Sequence, residues 1–108
     1  MTCKYNGWTN YETWAVSLWL GNDAGTHEYW CDAAREVFEN AEATSCLTRS
    51  EVARAVLAQR LQDELDEGHP CPDAGVYTDL LNAALNKVDW YEIATSYLED
   101  IDAVVIEN

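Results

Sequence analysis

Basic residues are scarce in this chain of 108 residues: six lysines and arginines stand against twenty aspartates and glutamates, a formal net charge of -14. A field of that sign repels nucleic acid and anionic membranes, which argues against direct binding to either. It attracts cationic surfaces, at a rate that falls as salt rises. No apolar run approaches the roughly 20 residues needed to span a bilayer. The polar start Met1-Thr2-Cys3-Lys4 leads into nothing resembling a signal peptide. The expectation is a cytoplasmic protein without membrane contact, whose Cys3, Cys31, Cys46 and Cys71 meet a reducing pool and stay thiols. Proline is also rare. Both prolines fall in Gly68-His69-Pro70-Cys71-Pro72, which reads as a connector between two helical groups. There is no internal repeat, low-complexity tract or block of five like charges.

Large side chains are plentiful, with five Trp and six Tyr in a composition that is 48% hydrophobic. They can offset the ordering entropy of one small domain, and the length leaves no room for a second core. A 3.6-residue apolar period recurs in five segments, so the predicted fold is all-α, a compact bundle of about five short helices. The first helix is expected over about residues 10 to 20. Thr9 and Glu12 have capping-box spacing, Tyr11, Trp14, Ala15, Leu18 and Trp19 form its core stripe, and Gly21 closes it as a left-handed cap. Thr26 is the expected cap of a second helix, with the stripe Trp30, Ala34, Val37, Phe38 and Ala41. Thr48 and Glu51 repeat the box spacing before Val52, Val56, Leu57, Leu61 and Leu65, and this third helix stops before Gly68. Asp73 or Thr78 opens a fourth helix carrying Val76, Tyr77, Leu80, Leu81, Ala84, Leu85 and Val88. Asp89 and Glu92 give a third box-like spacing at the start of the fifth, with Trp90, Ile93, Ala94, Tyr97, Leu98 and Ile101 inward; the β-branched tail Ala103-Val104-Val105-Ile106 is expected to continue it, with a short extended segment as the alternative.

The search for chemistry turns up little. His27 and Cys31 are four apart on one helix and His69 and Cys71 share a loop, yet no closely spaced cysteine pair of structural-zinc type occurs. No metal and no cofactor is therefore expected. Neither histidine sits in a hydrolase context, there is no Gly-rich phosphate loop, and Asp63 to Gly68 lacks the ligand alternation of a calcium loop. Paired carboxylates lie on polar helix faces, where nothing raises their pKa. The chain is not expected to be an enzyme.

Two features remain. Glu28, Asp32, Glu36 and Glu39, with Glu42 close by, follow helical spacings on the outer side of the second helix. Carboxylates one turn apart are separated by about 5 to 6 Å along the axis, comparable with the repeat of phosphates along a nucleic-acid strand. Asp63, Glu64, Asp66 and Glu67 form a second cluster, and Glu99, Asp100 and Asp102 a third. The bland reading is that these acids solvate the surface. The other feature is Tyr5-Asn6-Gly7-Trp8-Thr9-Asn10-Tyr11-Glu12-Thr13-Trp14, with four aromatics around a helix start. Tyr11 and Trp14 are expected to face inward and Tyr5 and Trp8 to staple the helix to the core, with a binding patch as the alternative.

That decapeptide, continuing into Ala15-Val16-Ser17-Leu18-Trp19-Leu20, resembles the opening of a family of small uncharacterised proteins carried by phages, prophages and plasmids. Asp89-Trp90-Tyr91-Glu92-Ile93-Ala94 resembles their closing helix. The resemblance brings no catalytic residue with it. It implies a context of mobile elements, which carry many small acidic proteins that disarm host nucleases. The expected function is accordingly an anti-CRISPR or anti-restriction inhibitor acting in the host cytoplasm. Glu28, Asp32, Glu36, Glu39, Glu42, Asp63, Glu64, Asp66 and Glu67 would replace phosphates in the positively charged groove of a host protein or ribonucleoprotein. The alternative is a module that binds or dimerises a host protein through an aromatic or apolar patch.

Overall fold

The computed structural model describes residues 6–68 and 75–107, with side chains described as far as Glu99. Five helices follow one another: α1 (Tyr11–Asn22), α2 (Ala24–Asn40), α3 (Arg49–Glu67), α4 (Val76–Asn86) and α5 (Trp90–Glu107). The all-α expectation holds, and α5 does continue as helix through the β-branched tail. The expected connector after Gly68, and Asp73 as a cap, lie outside the described residues.

The helix starts follow from short polar side chains that take up orphan amides. Thr48 and Glu51 form the expected reciprocal box: the Glu51 amide donates to Thr48 Oγ1 at 3.2 Å, and the Thr48 amide to Glu51 Oε1 at 2.9 Å. The other caps differ from expectation. Asn10, not Thr9, caps α1, its Oδ1 accepting from the Thr13 amide at 2.9 Å. Asp23, not Thr26, caps α2 by accepting from the Thr26 amide at 2.8 Å. Asp23 also ends α1, so the chain turns from one helix to the next on a single residue, and Gly21 lies inside α1 instead of closing it. A one-residue corner leaves no place for a left-handed glycine cap, and an acidic side chain is the better acceptor for the incoming dipole. Only Gly7, at φ 89, and Asn6, at φ 48, have positive φ among the described residues, in the turn that delivers Trp8.

The core is built by α2, α3 and α5, with α3 against α5 the most extensive pairing. Trp30, Ala33, Ala34, Val37 and Phe38 come from α2, Ala53, Leu57 and Leu61 from α3, and Trp90, Ile93, Ala94 and Leu98 from α5. Leu57, Leu61, Ile93 and Leu98 are fully buried, each worth about 1.5 to 3 kcal/mol of transfer free energy. The α2 stripe from Trp30 to Phe38 and the α5 stripe from Trp90 to Leu98 match their periodicity, Ala41 packs half-buried beyond α2, and the Ile101 side chain lies outside the described residues. On α3, Ala53 replaces Val52 as a core position and Val56 is half exposed.

The α1 stripe is overturned. Tyr11 is 55% exposed, Trp19 72% and Leu18 37%, while Thr13 and Leu20 are buried and Val16 packs on the core. The inward face is Thr13, Val16, Ser17 and Leu20; Tyr11, Leu18 and Trp19 point away from the described core, while Trp14 and Ala15 are half-buried. α4 likewise buries no residue fully, and Val76, Tyr77 and Leu80 are exposed. Gly75 precedes it without a side-chain cap, so Thr78 does not open it as expected.

Candidate functional site: the acidic face of α2 and its surroundings

The path from sequence to site begins with how α2 is held. Its core stripe fixes the inward direction, and at 100° per residue Glu28, Asp32, Glu36 and Glu39 fall within about 80° of arc on the opposite side. All four are exposed, as is Glu42 just beyond the helix. Asp32 pairs with Arg35 at 2.9 Å in an exposed bridge that contributes little energy. Among the described residues the carboxylates of Glu28, Glu36, Glu39 and Glu42 have neither hydrogen-bond nor ion-pair partners, which leaves their charge facing solvent.

α2 and α3 form an antiparallel hairpin locked at both ends by arginine. At one end the Arg49 guanidinium donates to the Phe38 carbonyl from Nε at 3.1 Å and from Nη2 at 2.9 Å, and lies over the Phe38 ring at 4.4 Å. It joins the Ala41 amide as a further donor to the Phe38 carbonyl in the last turn of α2 and places a cation at the negative end of the dipole. At the other end Arg60 bonds Glu64 at 2.9 Å, and the Tyr29 hydroxyl donates to Glu64 Oε1 at 2.8 Å. The Tyr29 hydroxyl and Glu64 both hold the Arg60 guanidinium in its charged form, raising its pKa.

This second lock decides where the α3 acids stand. It brings the cluster at the end of α3 beside the first turns of α2, so Glu28 and Asp32 share one end of the hairpin with Asp63, Glu64, Asp66 and Glu67. Their situations differ. Glu64 is half-buried and occupied by Arg60 and Tyr29; Asp63 accepts from Gln59 at 2.9 Å; Asp66 and Glu67 are exposed. Glu64 is therefore a fastener of the hairpin, a role that its place in a run of acids conceals. In the third cluster Glu99 is exposed and lines a hollow of about 340 Å³ with Trp8, Thr95 and Ser96, while the side chains of Asp100 and Asp102 are outside the described residues. Trp8 packs against the core as expected of a staple, and Tyr5 is outside the described residues.

Between the helices an open groove of about 340 Å³ has Val37, Ala41, Val52 and Val56 for its floor and Glu36, Glu42 and Arg60 on its rim. The exposed Tyr11, Leu18 and Trp19 on α1, with the Tyr11 ring tilted against the half-buried Trp14 at 5.6 Å between centroids, form a separate apolar surface. Periodicity had assigned that row to the core. Among the described residues no group of three or more His, Cys, Asp or Glu is arranged to hold a metal ion, and no helix is long and apolar enough to cross a membrane.

The whole chain, residues 1–108, matches the family of unknown function DUF7249. The protein belongs to that family. No curated protein and no solved structure matches this DUF7249 member.

Proposed function

We propose that this DUF7249 protein acts by binding, as a phage- or plasmid-type inhibitor of a host defence nuclease complex, with the acidic face of α2 set in a cationic nucleic-acid groove. The observation that carries the reading is the row Glu28, Asp32, Glu36 and Glu39, exposed along one arc opposite the core stripe of a rigid helix. Such a row replaces phosphates as acceptors for Lys and Arg without any sequence readout. Glu42, Asp63, Asp66 and Glu67 extend the negative surface at the two ends of the hairpin. Four of the six basic residues are in α2 and α3; there Arg35 pairs with Asp32, Arg60 with Glu64, and Arg49 turns onto the Phe38 carbonyl, so the carboxylates of Glu28, Glu36 and Glu39 keep their charge uncompensated by a direct pair. The partner class is an anti-CRISPR or anti-restriction target, a protein or ribonucleoprotein with a basic groove.

The experiment is a pull-down from bacterial lysate at low and high salt, repeated with a Glu28→Gln, Asp32→Asn, Glu36→Gln, Glu39→Gln variant. Capture that is lost at high salt, lost in the variant and competed by DNA supports the reading. A partner retained by the variant with unchanged salt response defeats it.

A second reading rests on Tyr11, Leu18 and Trp19, which α1 presents outward with only Glu12 as a charge on the whole helix. An apolar face of this kind suits a protein partner or a second copy of the chain. Association that survives high salt and fails in Trp19→Ser favours it over the acidic face.

A further inference from the structure

His27 and Cys31 stand one turn apart on α2, outside the acidic row, with Cys31 Sγ 3.6 Å from His27 Nε2. The sequence spacing alone places two side chains on one face; the structure brings the thiol and the imidazole within hydrogen-bonding distance, so that an ion could take the place of the proton they share. A tetrahedral zinc ion has Zn–N of about 2.0 to 2.1 Å and Zn–S of about 2.3 Å, which sets the N···S separation across one coordination angle at about 3.5 Å. The observed separation already matches. The His27 ring is flanked by the Tyr97 ring at 5.9 Å between centroids, which limits its rotation, and Cys31 is half-buried while His27 is exposed. One ligand is thus anchored and the other open to an arriving ion. Glu28 and Asp32, the next residue after each ligand, add negative charge that concentrates cations at this turn.

We propose that His27 and Cys31 form a two-point chelate for a divalent transition metal of borderline softness, such as zinc or cobalt, with the remaining positions taken by water. The bond to sulfur forms as the Cys31 thiol gives its proton to solvent, and His27 supplies the Nε2 lone pair. A site with two protein ligands and open positions is of the exchangeable kind, unlike the closed four-ligand sites that stabilise a fold.

The test is a cobalt titration of the reduced full-length protein, followed by the thiolate-to-cobalt charge-transfer band, with the His27 imidazole resonances recorded during a parallel zinc titration. The expected result is saturation at one equivalent, perturbed His27 resonances, loss of the band in Cys31→Ser, and binding weakened roughly tenfold or more in His27→Ala. A His69→Ala, Cys71→Ser variant is expected to keep the band. Absence of a saturable band, its survival in Cys31→Ser, its loss in the His69 and Cys71 variant, or unmoved His27 resonances each overturns the proposal. Both substitutions are at the surface edge of α2, and circular dichroism verifies that the helices persist. The outcome is independent of the partner assays on the acidic face.

Discussion

Thr13 Oγ1 accepts a 2.8 Å hydrogen bond from the backbone amide of Asp89, 76 positions further along the chain. The same hydroxyl donates to Asn10 Oδ1 at 2.6 Å, and Thr13 is completely buried. Around it the Asn10 amide nitrogen donates to the Lys87 carbonyl at 2.7 Å and the Thr9 amide to Glu92 Oε1 at 2.9 Å. The Glu92 carboxylate, whose spacing suggested a local box with Asp89, thus reaches to the other end of the chain. Thr9, Asn10 and Thr13 on one side and Lys87, Asp89 and Glu92 on the other are thus halves of one polar clasp between the starts of α1 and α5.

Removing the centre of that clasp has a defined cost. Thr13→Val keeps the shape but leaves the Asp89 amide without its acceptor and takes one of two donors from Asn10 Oδ1, for an expected loss of about 1 to 3 kcal/mol in denaturant unfolding. Thr13→Ser, which keeps the hydroxyl, is expected to recover most of it. Equal stability of the valine variant and the parent contradicts the clasp.

The orientation of α1 is testable with two tryptophans. Trp30 is 4% exposed and Trp19 72%. Trp30→Ala is expected to cost about 3 to 5 kcal/mol, whereas Trp19→Ser changes stability by no more than about 0.5 kcal/mol. If α1 turned its periodic stripe inward, both variants would unfold easily. Thermal melts of the two decide it.

A parallel contrast applies to α3. Leu57→Ala opens a cavity among fully buried neighbours, at about 2 to 5 kcal/mol. Val56→Ala, on the half-exposed groove wall, costs less than about 1 kcal/mol. Chemical denaturation with unchanged m-values is the measurement.

The acid side of stability belongs in part to two caps. The Thr26 amide and hydroxyl hold the Asp23 carboxyl below its ordinary pKa, and the Thr48 amide and hydroxyl do the same for Glu51. Each pKa is lower folded than unfolded, so the stabilisation is complete above the ordinary carboxylate range and drains away as pH falls through the depressed folded values. Asp23→Asn and Glu51→Gln preserve cap geometry without the charge. The double variant is expected to keep near-neutral melting behaviour and to show a flatter acid arm by circular dichroism. An acid arm identical to that of the parent removes these two groups as its cause.

Much of this protein was legible before folding. The stripe of α2 needs no tertiary information, because apolar and acidic residues segregate cleanly around its axis, and that segregation puts Glu28, Asp32, Glu36 and Glu39 outward. The Thr48 box, the end of α3 before Gly68 and the inward face of α5 were equally local, since each rests on a side chain within one turn of the group it satisfies.

Only the tertiary structure could choose the face of α1, and the reason is physical. With one charged residue in Tyr11–Asn22, the helix is apolar almost all round, so periodicity offers several stripes and none is penalised by a buried charge. The choice fell to hydrogen bonding, because a buried Thr13 reaches the otherwise open amide of Asp89 and draws Val16 and Leu20 inward with it. The same holds for Glu64, whose identity as an acid was plain but whose engagement by Arg60 and Tyr29 required α3 to return alongside α2. Side-chain chemistry along the chain set what each helix is able to bury; the distant partners available after folding decided which side it did bury.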